Sequence, residues 1–225
     1  MKYNWIKNCM YTIGYIAPNS IFYSLECIYN HASNAKWWKS KGYQPQCTVS
    51  SRDAIFTFVN DIIGDRKALY LEFGVYYGYT MRLCSKLMQN PNCQLHGFDS
   101  FHGLPEAWNA RYGAGSMSMN GLMPAFDDPR IHLYKGWFEN ILPYYNPPDH
   151  DIMFINCDAD LFTSTSIILE HINKWLKPND LIYFDEFHHN AGERLAFDIY
   201  SRKIDYEFIP LAATYAKNHV LWKVK

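Results

Sequence analysis

The chain has 225 residues, enough for one domain with a sizeable core, and carries a formal net charge of -1 with a pI near 6.7. That balance, with no basic stripe along the sequence, argues against nucleic acid or another polyanion as partner. Six scattered cysteines lack Cys-x-x-Cys pairs and zinc spacing, so they read as reduced, mostly buried thiols of a cytoplasmic protein.

Residues 1–47 read as a helical arm or cap, with the main domain over 48–225. The stretch from Tyr11 to Tyr29 is apolar but broken by Asn19, Ser20, Ser24 and Glu26. It fits neither a signal peptide nor a transmembrane segment. Trp37 and Trp38, beside Lys36, Lys39 and Lys41, read as packed on their own domain rather than on a membrane or a partner. Ser50 followed by Asp53 resembles a capping box, and Ile55, Phe58, Val59, Ile62 and Ile63 then share one helical face.

A strand is expected over 68–73, a helix over 80–88 and a second strand over 94–98. Residues 100–130 have no clear period and read as a functional lid or a disordered connection. A strand at 131–134 precedes Gly136-Trp137-Phe138 and a proline-rich turn. Strands at 152–156 and 181–184 bracket a helix carrying Ile168, Leu169 and Ile172, and a helix over 193–203 leads to closing strands at 206–211 and 219–224. This alternation predicts an α/β, Rossmann-like fold: a mainly parallel seven-stranded sheet with helices on both faces.

Ligands of such sheets bind beyond the C-terminal strand ends. The turn Glu72-Phe-Gly-Val-Tyr-Tyr-Gly-Tyr-Thr80 joins strand to helix with glycines at 74 and 78. It lacks the Gly-x-Gly-x-x-Gly of dinucleotide binders and the Gly-Lys-Ser/Thr of a P-loop. An acid at this strand end suits a cofactor with positive charge, such as S-adenosyl-L-methionine. Acids recur at the strand ends as Asp99, Asp158 with Asp160, and Asp185 with Glu186. So many at one rim would repel one another without a cation to offset them. Asp99 is placed to accept hydrogen bonds from ribose hydroxyls, with an N-cap or Asx-turn role as the other reading. The gap from Asp158 to Asp185 fits one strand–helix–strand crossover, and hard oxygen ligands on adjacent strands suit Mg2+. Asp160 is the candidate general base. His188 and His189 read as surface residues or hydrogen-bond partners rather than zinc ligands.

With these motifs the chain resembles the class I S-adenosylmethionine-dependent methyltransferases, and more narrowly the macrocin O-methyltransferase (TylF-like) family. The resemblance spans roughly residues 48–225 and rests on five segments. These are the 72–80 turn, Phe98-Asp-Ser-Phe-His-Gly-Leu-Pro-Glu106, Lys135-Gly-Trp-Phe138, Asp158-Ala-Asp-Leu-Phe-Thr-Ser-Thr165 and Phe184-Asp-Glu-Phe187. His102 stands where that family usually has Glu, and Glu186 where some members have Asp. The resemblance implies cofactor contacts at Glu72, Gly74, Tyr76, Gly78, Thr80, Asp99, Ser100, Gly136, Trp137, Phe138 and Asp158. It also implies Mg2+ ligands at Asp158, Asp185 and Glu186, and a base at Asp160. The expected reaction is methyl transfer to a hydroxyl of a sugar, glycan or natural-product-like small molecule. Two rivals differ in class: a catalytically silent cofactor-binding or assembly module, and a nicotinamide-dependent oxidoreductase. The N-terminal arm is also a candidate interface for a homodimer.

Overall fold

Strand β2 (Ala68–Phe73) shows how the sequence builds the sheet. All six residues are buried, as a strand covered on both faces requires. Leu69, Leu71 and Phe73 enter the apolar cluster on one face, while Ala68 and Tyr70 enter the cluster on the other. Strand β5 (Ile152–Cys157) divides the same way, with Met153, Ile155 and Cys157 on the first face and Ile152 and Phe154 on the second.

The computed structural model describes residues 2–225. In chain order its elements are α1 (Lys2–Ile16), α2 (Asn19–Lys41), β1 (Cys47–Val49), α3 (Arg52–Ile63), β2, α4 (Tyr79–Leu87), β3 (Gln94–Asp99), β4 (Ile131–Lys135) and α5 (Phe138–Ile141). After a 3-10 turn follow β5, α6 (Phe162–Ile172), β6 (Leu181–Phe184), α7 (Glu193–Tyr200), β7 (Phe208–Thr214) and β8 (Val220–Val224). The sheet runs β1-β7-β8-β6-β5-β2-β3-β4, with β8 antiparallel to both β6 and β7 and the other pairings parallel. The fold is α/β and Rossmann-like. β2 lies between β3 and β5, so the chain reverses its direction of travel across the sheet at the β2/β5 boundary. That switch point opens a crevice beyond the strand ends.

Four local differences from the sequence expectation have physical causes. The sheet has eight strands among the described residues rather than seven, because Cys47–Val49 adds to the free edge of β7. The cap of α3 is Ser51, whose side chain accepts the Ala54 N–H at 3.3 Å, rather than Ser50. Strand β7 runs on to Thr214 because Leu211-Ala-Ala-Thr214 is held by neighbours on both sides, across a bulge between Pro210 and Ala212. Helix α7 stops at Tyr200, and residues 201–203 form a turn.

Helix α2 is fixed to the domain at its C-terminal half. Trp38 is 4 % exposed and stacks on Trp222 with ring centroids 5.5 Å apart. The Trp37 indole N–H donates to Asp198 Oδ1 at 3.1 Å. The α1 helix leaves Tyr3, Trp5, Met10, Tyr11, Tyr15 and Ile16 exposed. All six cysteines are free; Cys84, Cys93 and Cys157 are buried and the other three half-buried. No helix among the described residues is long and apolar enough to cross a membrane.

Candidate active site

The crevice at the switch point is a cavity of about 400 Å3, within the range of small-molecule sites. Its floor is the turn after β2. Gly74 has φ +93, and a β-carbon there would meet the carbonyl oxygen of Asp158 at 1.8 Å. Only glycine lets this turn pass against the end of β5. Asp99, at the end of β3, fixes the same turn: Oδ2 accepts the N–H groups of Val75 at 2.9 Å and Tyr76 at 2.8 Å, and Oδ1 that of Phe101 at 2.7 Å. A carboxylate has about four acceptor positions, so about one on Oδ1 remains for a ligand hydroxyl. The Asx-turn reading of Asp99 is therefore realised, and any ribose contact is narrower than two free oxygens would give.

Of the residues expected at a cofactor, the structure brings Gly74, Tyr76, Thr80, Asp99, Ser100, Gly136, Trp137, Phe138 and Asp158 to this cavity, together with Asp160. Two stand behind its wall. Glu72 is fully buried and accepts hydrogen bonds from Tyr70 Oη at 2.5 Å and Thr80 Oγ1 at 2.7 Å. Burial pushes its carboxyl up to about 7, even though both hydrogen bonds favour the charged form. Gly78 caps α4 and lies against the Phe126 ring. Both residues shape the turn from beneath.

The acids after β5 and β6 form an unbalanced group. Asp160 is 6 % exposed and adopts φ +58, in the left-handed region that a non-glycine residue seldom occupies. Burial, then the charges of Glu186 and Asp185, push its carboxyl up to about 8. Asp158 is raised by burial and by Asp185, Asp160, Glu193 and Glu72. Asp185 moves the other way. Burial would raise it, but His219, Tyr183 and Arg52 together hold it below the usual carboxylate range. Its Oδ1 receives Tyr183 Oη at 2.5 Å, His219 Nδ1 at 3.1 Å and Arg52 Nη1 at 3.5 Å. Glu186 turns away and pairs with His188 Nδ1 at 3.1 Å.

The chemistry of Asp158, Asp185 and Glu186 suits a hard cation, but their placement does not. Among the described residues no three His, Cys, Asp or Glu side chains are set to share one ion. As placed, the group does not fit a bound Mg2+.

Arg52 and Met117 enter the site without a motif to announce them, and Glu193 stands outside its lining. Arg52 lines the cavity, contacts Asp185 and lies over the Tyr79 ring at 5.2 Å. Met117, far along the β3–β4 loop, also reaches the cavity. Glu193 is fully buried: Oε2 accepts the Glu186 N–H at 2.8 Å and Oε1 has no protein partner. Arg52 was signalled only by following a cap residue, and Glu193 only as an acid opening a helix.

Comparison with solved structures gives the same architecture. The O-methyltransferase NovP is 18% identical, with TM-score 0.60 over 76% of this chain and 78% of that chain. CalS11, described as a TDP-rhamnose 3'-O-methyltransferase of calicheamicin biosynthesis, is 19% identical with TM-score 0.53 over 76% and 77% of the two chains. A Bacillus cereus O-methyltransferase in complex with SAH is 13% identical with TM-score 0.52 over 87% and 90%. At these identities the likeness shows the shared fold alone. No curated protein matches the sequence. A family model described as a methyltransferase domain matches residues 71–187, which run from the glycine turn through both acidic pairs and make up more than half of the chain. The chain belongs to this family of methyltransferase domains.

Proposed function

We propose that the protein is an S-adenosyl-L-methionine-dependent O-methyltransferase of the macrocin type, acting on a hydroxyl of a sugar, glycan or natural-product-like small molecule. The observation that carries this reading is Asp160, a buried carboxyl of raised pKa, in the lining of a cavity floored by the glycine turn. Family membership and the O-methyltransferase neighbours support it.

The cavity fits the cofactor in size and charge. Gly74 keeps the floor free of side chain, and the acids nearby match a cation. Asp99 Oδ1 would accept a ribose hydroxyl, Gly136, Trp137 and Phe138 would border the base, and Thr80 and Asp158 would line the remainder. S-adenosyl-L-methionine, when bound, supplies an electrophilic methyl carbon on sulfur. An acceptor hydroxyl is a weak nucleophile, so a base must take its proton as the carbon–oxygen bond forms. Asp160 does this; a carboxylate whose pKa sits near the working pH is both available and basic. Leu104, Pro105 and Met117 of the β3–β4 loop line the cavity, and closure of this loop over a bound acceptor would keep water from competing. The Mg2+ implied by the resemblance would need Asp158, Asp185 and Glu186 to converge, so no step here passes through a metal.

The same reading places the protein in the cytoplasm, divides the chain into a helical arm and a catalytic domain near the start of β1, and assigns the exposed apolar surface of α1 to a homodimer.

Calorimetric titration with S-adenosylhomocysteine, in Mg2+ and again in EDTA, tests the proposal. Micromolar binding supports it, and the difference between buffers reports any coupling to metal. Folded protein that binds in neither buffer overturns it and favours the silent module.

A further inference from the structure

A second cavity, of about 230 Å3, opens beside the first. Its walls include Tyr23, Glu26 and Asn30 on α2, Trp108 in the β3–β4 loop, and Glu186 and His189 after β6. Gly192 packs between one residue of each cavity. A β-carbon there would lie 2.5 Å from the carbonyl oxygen of Asp160 and 3.1 Å from His189 Nδ1. Asp160 lines the first cavity and His189 the second, so a single glycine separates their contact points.

The α2 wall is held in place. Asn30 Oδ1 accepts the Asn190 N–H at 3.2 Å, and Arg194 donates to Asn34 Oδ1 at 3.2 Å and Ser33 Oγ at 2.8 Å. Four buried polar atoms on lining residues have no hydrogen-bond partner in the protein: Trp108 Nε1, a donor, Asn218 Oδ1, an acceptor, and Nδ1 of His189 and of His188, the last having only its ion-pair contact with Glu186. Buried polar groups are normally satisfied, so unpaired ones in a cavity wall point to a ligand. The lining carries the carboxylates Glu26 and Glu186 and no Lys or Arg. A phosphate here would meet two carboxylates with only His31, His188 and His189 to offset them, and burial holds His189 toward its neutral form. A hydroxyl can accept from Trp108 and donate to Asn218 or to a carboxylate. The Trp108 and Tyr23 rings offer apolar faces to the C–H face of a saturated ring.

We infer that the second cavity seats the non-reacting part of the methyl acceptor, takes an uncharged, hydroxyl-rich ring, rejects phosphate-bearing acceptors, and owes this choice to α2 and Trp108. The inference rests on the methyltransferase reading above. It makes Tyr23 and Trp108 specificity-determining residues at some remove from the transferred methyl.

Cys27 lines this cavity and is a free, half-buried thiol, while Cys9 lies on α1, away from it. The test follows iodoacetamide alkylation of both thiols in full-length protein saturated with S-adenosylhomocysteine, whose binding is measured on the same sample. The probes are methyl pyranosides of the common hexoses and 6-deoxyhexoses, and thymidine diphosphate-glucose as the phosphate-bearing comparison. At ten times its dissociation constant, a bound pyranoside should slow Cys27 alkylation about tenfold and leave Cys9 unchanged. Tyr23→Ala and Trp108→Ala should each abolish the protection without altering S-adenosylhomocysteine binding. If S-adenosylhomocysteine binds but no pyranoside protects Cys27, or the diphosphate sugar protects it equally, the inference is wrong and the methyltransferase reading stands. If S-adenosylhomocysteine does not bind, that reading fails and the inference falls with it.

Discussion

The carbonyl oxygen of Asp158 occupies the space that a β-carbon on residue 74 would need, 1.8 Å from its ideal position. The turn after β2 and the end of β5 are thus in backbone contact, and the floor of the cavity depends on that approach. Gly74→Ala adds a clash with backbone to an unfavourable positive φ. It should lower stability by about 3 kcal/mol, read from urea denaturation. It should also abolish S-adenosylhomocysteine binding in the protein that remains folded. Wild-type stability and affinity in this variant would refute the close approach.

Glu72 makes stability depend on pH in a definite direction. Its folded pKa, about 7, lies above the ordinary 4.5, because burial penalises the charge. Between those values the unfolded chain has lost the proton and the folded chain keeps it, so stability falls as pH rises through the interval. The difference is about 3 kcal/mol between pH 4.5 and pH 7. Glu72→Gln should remove that share of the decline, as measured by denaturation midpoints at several pH values. A variant as pH-sensitive as wild type would show that Glu72 is not the group responsible.

Asp160→Asn should lower kcat by about 10²–10⁴-fold, since the base is lost, and leave S-adenosylhomocysteine affinity largely unchanged. In the wild type, kcat/KM should rise with pH up to about 8, as the Asp160 carboxyl of free enzyme ionises. Full turnover in the Asn variant with an identified acceptor would assign the proton transfer elsewhere.

Trp38→Ala removes the buried ring stacked on Trp222 and leaves a cavity beneath α2. The expected loss is about 3–5 kcal/mol if the arm is part of the cooperative unit. An unchanged urea midpoint would show α2 to be separable from the domain.

Where one residue's identity dictates one local geometry, the sequence was a good guide. The glycine turn, the strands β2 and β5 and the acids at the strand ends all appear where expected. Their signals are local. The roles of single acids were harder to read, because a carboxylate's partners come from distant segments. Asp99 holds backbone amides of the neighbouring turn, Glu72 sits behind it, and Asp185 faces Arg52 and His219, which no spacing rule joins to it. The eighth strand escaped notice because three residues make no pattern; only the exposed edge of β7 turns Cys47–Val49 into a strand. The place of Trp108 and Met117 in the cavities was equally hidden, since it depends on how an aperiodic loop folds back.

The seating of α2 carries a consequence for how the molecule is made. Asn34 donates to the carbonyls of Ala216 and Lys217, 182 and 183 residues further on, and Trp38 rests on Trp222 in β8. A ribosome finishes α2 long before its resting place exists. Until the β7–β8 hairpin has emerged and joined the sheet, Trp37 and Trp38 lack the Trp222 ring that covers them. Docking of the arm must therefore be among the last events of folding, and the nascent chain passes through an extended interval in which its stickiest surface is bare.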